Sequence, residues 1–191
     1  MPLLTKRQAV LVVFLLAVAV VGCVLYRYQF RIRAIAWHLL HGDSVAVAGY
    51  RVAVPILWLV EQSNSQDATL WNTRTGESIW LHSFPKPSSF TLASWSDLVQ
   101  KRMKDPKNLI VGRRELQVAD EPFLCFERDF EIVLPSSVTA NASDQTVHGP
   151  SVECTSTGPL DVMFYGTIRP ARRNDYSQFY AIVGSIQKIS R

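Results

Sequence analysis

Acidic residues are absent from the first 41 positions of the chain, which carry five basic residues: Lys6, Arg7, Arg27, Arg31 and Arg33. The 150 residues that follow hold 15 basic and 16 acidic residues, so the net charge of +4 belongs to the N-terminal segment and the remainder carries −1. A nucleic-acid-binding domain shows its positive charge on its folded surface. The distribution therefore indicates no nucleic-acid partner and favours arginines that flank a membrane segment.

Charged residues of either sign are missing from the eighteen-residue run Ala9 to Tyr26. As a helix this run would be about 27 Å long at about 1.5 Å per residue, close to the roughly 30 Å hydrocarbon core of a bilayer. It predicts a single transmembrane helix and a chain of four segments. These are a short N-terminal tail at 1–8, a transmembrane anchor at 9–27, a juxtamembrane helix or linker at 28–43 and an α+β domain at 44–191.

Two alternatives to a spanning helix stay open. A cleaved signal peptide is one, although the run is longer than a usual h-region and no small-x-small cleavage pattern closes it. The other is a lipoprotein signal, because Val20-Val21-Gly22-Cys23 resembles a bacterial lipobox and would leave Cys23 carrying the lipid. Against this, the apolar run continues for three residues after Cys23.

The flanking charges give almost no preference for either orientation of the helix in the membrane, because basic residues lie on both sides of the run. The short N-terminal tail resembles the n-region of a secretory signal, and this favours a tail inside the cell. We therefore expect a single-pass protein of the cell membrane whose C-terminal domain is extracytoplasmic, in the periplasm or at the cell exterior.

Cysteine is scarce, with three in the chain, and one of these, Cys23, lies in the predicted anchor. The domain is left with an even pair, Cys125 and Cys154, on two predicted strands joined through one loop. Such strands are expected to be antiparallel neighbours, which can bring two Cβ atoms within bonding range. The sequence therefore predicts a Cys125–Cys154 disulfide, which suits an oxidising compartment. The alternative is two buried free thiols, if the strand register places the side chains on opposite faces.

Signatures of catalysis are also lacking, since no G-x-S-x-G motif or phosphate-binding glycine loop is present. The four histidines are His38 and His41 beside the anchor, His82 in a predicted strand and His148 in a predicted polar loop. His38 and His41 could meet on one helix face, but apart from Asp43 no ligand-type residue stands nearby. Three carboxylates, Glu127, Asp129 and Glu131, share one strand face, as on any exposed strand. We predict no catalytic, cofactor or metal site.

Periodicity after residue 43 predicts an antiparallel meander, a helix, four strands and a closing helix. The predicted strands are 50–54, 56–61, 68–72, 78–84, 109–118, 123–134, 151–156 and 160–168. Ser94 is the expected N-cap of the first helix, and Asn174 or Asp175 that of the last. A polar loop at 135–150 carries the glycosylation sequon Asn141-Ala142-Ser143, and a basic loop spans 169–173. The expected class is α+β, with a central antiparallel sheet flanked by helices and preceded by one transmembrane helix.

Three stretches of the chain together resemble the sequence of a known protein family. They are Tyr50-Arg51-Val52-Ala53-Val54-Pro55 followed by Trp58, the mid-chain helix before Leu109-Ile110-Val111-Gly112, and Phe179 to Ile186 at the end of the last strand–helix pair. Together, over about residues 48 to 188, they resemble the PsbP-like family. The resemblance implies a central antiparallel sheet sandwiched by helices and a non-enzymatic role as an accessory subunit. The metal-linked role of photosynthetic members is not carried over, because no matching ligand set is present.

The expected function is that of a membrane-anchored, extracytoplasmic accessory domain that binds a protein partner and assists or stabilises an envelope complex. Its expected partners are the membrane and a protein of unknown identity, and no cofactor is expected. A ligand- or lipid-binding sensor domain is the first alternative and requires an apolar, tryptophan-lined cavity. A hydrolase that uses His82 or His148 is the second and requires a histidine beside a serine and an acid.

Overall fold

A computed structural model of the chain describes residues 6–102, 108–134, 145–166 and 176–189. The helices are α1 (Lys6–His41), α2 (Leu92–Arg102) and α3 (Ser177–Gly184). The strands are β1 (Ser44–Val47), β2 (Tyr50–Ala53), β3 (Trp58–Ser63), β4 (Asp67–Asn72), β5 (Ser78–Ser83), β6 (Asn108–Val118), β7 (Glu121–Leu134), β8 (Gln145–Ser156), β9 (Leu160–Tyr165) and β10 (Gln187–Lys188). The sequon 141–143, the basic loop 169–173 and the caps Asn174 and Asp175 lie outside the described residues.

Seven strands form one antiparallel sheet in the order β3-β4-β5-β9-β8-β7-β6, and a second sheet has the order β1-β2-β10. Short turns connect the paired strands β3–β4, β4–β5, β6–β7 and β8–β9, whereas the β5–β9 pairing joins two parts of the chain that are far apart in sequence. The predicted α+β class, with a central antiparallel sheet and helices packed on it, is confirmed.

The main core lies on one face of the seven-stranded sheet. Successive strand residues point to opposite faces, so alternate apolar side chains such as Leu70, Ile79 and Val162 are directed inward. Phe179 and Val183 of α3 cover this inner face together with the β1–β2 hairpin. The inner face is therefore closed by a helix and a second sheet.

Helix α2 packs on the opposite side of the sheet from α3, at the β6–β7 end. Val99 contacts Leu124 and Phe126, and Trp95 lies 5.1 Å from Phe126 between ring centroids. The predicted N-cap Ser94 is wrong by one turn. Thr91 is the cap, because its Oγ1 accepts from the backbone N–H of Ser94 at 3.0 Å, while Ser94 Oγ accepts from the Thr91 N–H at 3.1 Å. This reciprocal pair is a capping box.

Strands β1 and β10 were not predicted from the sequence, and β7 and β8 begin two and six residues before their predicted starts. Ala48 and Gly49 both have positive φ (53° and 82°), as do Ala119 and Asp120 (52° and 62°). Both pairs are two-residue hairpin turns with left-handed backbone, although neither carries the usual Asn-Gly signal. As a result β1 precedes Tyr50 and β7 begins at Glu121. Strand β8 begins at Gln145, so His148 lies on a strand and not in a loop.

Helix α1 is continuous over 36 residues, about 54 Å at about 1.5 Å per residue. It passes unbroken through the predicted boundary at residue 27 and ends where Gly42, with φ of 77°, donates its N–H to the carbonyl of His38 at 2.8 Å. Its large apolar side chains from Val10 to Leu25 are 43–70% exposed. Helix α1 is long and apolar enough to cross a bilayer, and its apolar stretch is not buried in the domain.

Candidate functional site

The second half of α1 is packed against the domain beside edge strand β3. The Phe30 ring meets Trp71 edge-on with centroids 5.0 Å apart, Ala34 is 0% exposed, and Trp37 packs against the main core. These three residues lie on one side of the helix, because they are spaced four and three positions apart. Their contacts extend over about two helical turns, so α1 and the sheet domain are joined by packing as well as by the chain.

His38 adds hydrogen bonds to this contact between α1 and the domain. Its side chain is 8% exposed, with Nδ1 3.0 Å from Asp43 Oδ1, and Nε2 3.0 and 3.1 Å from the carbonyl oxygens of Trp58 and Pro55. Nε2 therefore links α1 to the start of β3, whereas Nδ1 links it to Asp43 directly after the helix. His41, in contrast, is exposed and stacks on Trp37. Within the described residues no three His, Cys, Asp or Glu side chains are grouped to hold a metal ion.

The outer face of the sheet is only partly covered. We use the name "outer face" for the surface formed by Trp71, Trp80, His82, Met163 and Tyr165, which point away from α3. Tyr165 is 43% exposed, and the other four side chains are half-buried. Trp80 is aligned with Met163 across β5 and β9, and Trp71 adjoins Phe30 of α1. The outer face is thus a partly exposed aromatic surface next to the long helix.

Charged groups around the outer face are paired with one another. His82 Nδ1 bonds Asp67, and Arg128 forms an ion pair with Glu153. The hydrogen bond from His82, supported by one from Asn64, lowers the pKa of the Asp67 carboxyl below its usual value. Because both carboxylates are engaged by these neighbours, the outer face presents mainly aromatic and thioether groups.

A cavity of about 250 Å³ lies beside His82. It is lined by Gln62, Asn64, Asp67, Thr69, Trp80 and His82. The lining provides a histidine–carboxylate pair but no serine or cysteine, so the hydrolase alternative lacks its expected nucleophile at His82. The side chain of His148 lies outside the described residues.

A second cleft, of about 450 Å³, lies between α2 and strands β6 and β7. Its lining mixes apolar residues with Ser96, Asp97, Arg113 and Glu115 and includes no tryptophan. The tryptophan-lined apolar cavity that the sensor alternative requires does not match this cleft. Trp58 instead lies in the main core, where its indole N–H donates to Gln178 at 3.3 Å.

Lys86 is a buried cation that the sequence analysis did not single out. Its side chain is 6% exposed, and Nζ donates to the carbonyls of Ser156 (2.7 Å) and Gly158 (2.6 Å) and to Asp161 Oδ1 (2.7 Å). Lys86 thereby fastens the loop after β5 to the β8–β9 turn. Its position between two prolines is typical of a solvated loop, so no sequence signal indicated burial.

Two tyrosines, one buried and one half-buried, link the sheet to the elements that cover it. Tyr50 of β2 donates to Glu121 at 3.1 Å, and its pKa is raised to about 12 by burial and by the Glu121 charge. Tyr180 of α3 donates to Glu127 at 2.6 Å, and burial followed by this bond also raises the pKa of Tyr180. The prediction of an exposed carboxylate face is therefore wrong at Glu127, which is half-buried beneath α3. Asp129 is half-buried as well.

Cys125 and Cys154 are direct register partners on β7 and β8, with Cα atoms 4.0 Å apart, and the structure joins them in a disulfide. Both belong to the main core, because their side chains point to the inner face. Cys23, on α1, is exposed and unpaired among the described residues.

No protein-family model matches the chain, and no curated protein sequence matches it. Among solved structures it is similar to cyanobacterial PsbP (CyanoP) from Synechocystis sp. PCC 6803, at 14% identity over 73% of this chain and 86% of that one, with a TM-score of 0.44. It is also similar to the Saccharomyces cerevisiae Ran-binding protein Mog1p, at 13% identity over 76% and 94%, with a TM-score of 0.42. A Bacteroides thetaiotaomicron VPI-5482 crystal structure matches at 10% identity over 74% of this chain and 45% of that one, with a TM-score of 0.42. At these values the likenesses assign neither family nor function.

Proposed function

We propose that this chain is a membrane-anchored, non-enzymatic accessory protein whose extracytoplasmic domain binds another protein of the same membrane through the outer face. The observation that carries the proposal is the half-exposed aromatic surface of Trp71, Trp80, Met163 and Tyr165, placed next to a helix that can span a bilayer. Aromatic and methionine side chains are enriched in the centres of protein interfaces.

The membrane is the environment that suits α1. From Val10 to Leu25 the helix is apolar on all sides and is not covered by the domain, and water would leave this surface unburied. Since α1 continues without a break to Phe30, Ala34 and His38, which contact the domain, the helix holds the domain beside the bilayer. A partner that meets the outer face is then a protein in, or close to, the same membrane.

The low charge of the outer face indicates the chemistry of the partner. Asp67 is paired with His82, and Glu153 with Arg128. The face therefore offers few unpaired charges to a strongly acidic or basic ligand. It is suited to a protein surface with aliphatic or aromatic side chains, whose burial is favourable by about 25 cal/mol per Å² of apolar area.

The first test concerns the side of the membrane. An alkaline phosphatase reporter, active only outside the cytoplasm, should be active when fused after Arg191, because the short basic tail stays inside. The disulfide-bonded Cys125–Cys154 pair supports the same side. An equally abundant but inactive fusion would place the domain in the cytoplasm and remove the extracytoplasmic part of the proposal.

The second test concerns the partner surface. We expect a photo-crosslinking amino acid at Thr69, which lies beside Trp80 on the outer face, to form an adduct with one defined membrane protein in cells that produce the chain naturally. The same amino acid at Arg51, exposed on the β1-β2-β10 sheet, is the matched control and should give no such adduct.

Substitution Trp80→Ala should abolish the Thr69 adduct without reducing the amount of protein, since Trp80 is only half-buried. Equal adducts from positions 69 and 51, or an adduct that persists in the Trp80→Ala chain, would contradict binding through the outer face.

A further inference from the structure

A cavity of about 260 Å³ lies between the middle of α1 and the β4–β5 turn, in a different place from the outer face. It is lined by Arg27, Tyr28, Phe30, Arg31, Thr73 and Arg74. Two of its three arginines come from the helix and one from the domain. The cavity therefore lies where α1 and the domain meet, next to the Phe30–Trp71 contact.

The three guanidinium groups have no carboxylate between them. Within the described parts of the chain, Arg27, Arg31 and Arg74 take part in no ion pair with Asp or Glu. The acidic residue of the same turn, Glu77, accepts a hydrogen bond from Thr75 at 2.7 Å. Three like charges around one cavity repel each other, and an anion in the cavity would turn that repulsion into attraction.

The position along α1 indicates which anion is available. The charge-free run ends at Tyr26, so Arg27 and Arg31 lie within about 8 Å of the end of the hydrocarbon-length segment at about 1.5 Å per residue. That distance corresponds to the head-group layer, because a bilayer of about 40–45 Å has a core of about 30 Å. Tyr26 and Tyr28, both exposed, match the aromatic belt at the same depth.

We propose that Arg27, Arg31 and Arg74 form a binding site for the phosphate of an anionic phospholipid head group. Guanidinium groups bind phosphate oxygens through paired, charge-assisted hydrogen bonds. The bound lipid links the helix to the β4–β5 turn and holds the domain at a fixed tilt against the membrane surface. This site rests on the proposed membrane anchor and does not depend on the outer face.

The test uses the full chain, purified in a mild detergent and titrated with phosphatidylglycerol or phosphatidylcholine, with bound lipid counted by native mass spectrometry. We expect phosphatidylglycerol to bind more tightly. Arg74→Gln should weaken its binding about tenfold, since one hydrogen-bonded charge contact is lost. Arg51→Gln removes the same charge from an exposed strand residue outside the cavity and should leave the affinity unchanged. Arg31→Gln is the second variant and should act like Arg74→Gln.

Equal affinity for the two lipids, or wild-type affinity in both cavity variants, would overturn the site. Soluble glycerol phosphate that displaces phosphatidylglycerol at equal concentration would show a site for free phosphate and overturn the lipid assignment. Alkaline carbonate extraction of native membranes separates the two proposals. Protein released by carbonate contradicts the anchor itself, whereas protein that stays in the membrane but shows no lipid preference contradicts only this site.

Discussion

Loss of the Cys125–Cys154 disulfide is expected to lower the free energy of unfolding by about 3–4 kcal/mol, because the bond restricts the unfolded chain. The two cysteines are 29 residues apart in sequence, and the loop they close contains the part of the chain between β7 and β8. A domain of ordinary stability has about 5–15 kcal/mol in total, so the loss is a large share of it. We expect the double variant Cys125→Ala/Cys154→Ala to melt roughly 10 °C lower than the parent.

The measurement is made in a Cys23→Ser background, because Cys23 is exposed on α1 and would otherwise react with the label. Protein isolated without reductant and then denatured should react with a thiol reagent at neither remaining cysteine until it is reduced. Cys23→Ser alone should melt as the wild type does and is the control. Two thiols that react before reduction would contradict the bond and weaken the argument for an oxidising compartment.

Substitution Asp161→Asn is expected to cost about 3–5 kcal/mol of unfolding free energy, because it leaves the buried Lys86 ammonium without its counter-charge. Lys86 is held 2.7 Å from Asp161, and its other contacts are all uncharged: the carbonyls of Ser156 and Gly158, and the Phe90 ring 5.2 Å away. Chemical unfolding of the full chain in detergent, followed by tryptophan fluorescence, measures the loss.

Two further variants separate the lost pair from a general effect of the substitution. Asp97→Asn makes the same change at an exposed position of α2 and should alter stability by less than about 0.5 kcal/mol. Lys86→Met combined with Asp161→Asn removes both charges and should recover much of the loss, since the buried cation is gone. An Asp161→Asn chain as stable as Asp97→Asn would mean that Lys86 is solvated and not held by the pair.

Local sequence patterns were sufficient for the features that depend on neighbouring residues. The charge-free run predicts a helix long enough to span a bilayer, and alternation of apolar residues predicts most strands of the large sheet. The same alternation, with one loop between two strands, predicts that Cys125 and Cys154 face each other. The strands β1 and β10 were missed because they are short, and because the Ala48-Gly49 turn lacks the residues that usually mark a hairpin.

The candidate site could not be predicted in this way, because its residues come from separate parts of the chain. The periodic strand positions of Trp71 and Trp80 indicate core packing, yet only one face of the sheet is fully covered. The covering elements α3 and β1–β2 lie at opposite ends of the domain sequence. The two prolines beside Lys86 predict an exposed loop residue. Its burial follows from the position of the β8–β9 turn, about seventy residues later in the chain.

The amino-acid sequence by itself determined the apolar helix, its basic flanks, the α+β class and an even pair of cysteines, because each depends on composition or on spacing within a short segment. The tertiary structure decided which sheet face stays open, that His38 and not His41 joins the helix to the domain, and that Arg74 meets Arg27 and Arg31 around one cavity. The last two of these depend on the crossing of α1 with the edge of the sheet. That crossing is set by packing between residues some forty positions apart, such as Phe30 and Trp71, which no local pattern encodes.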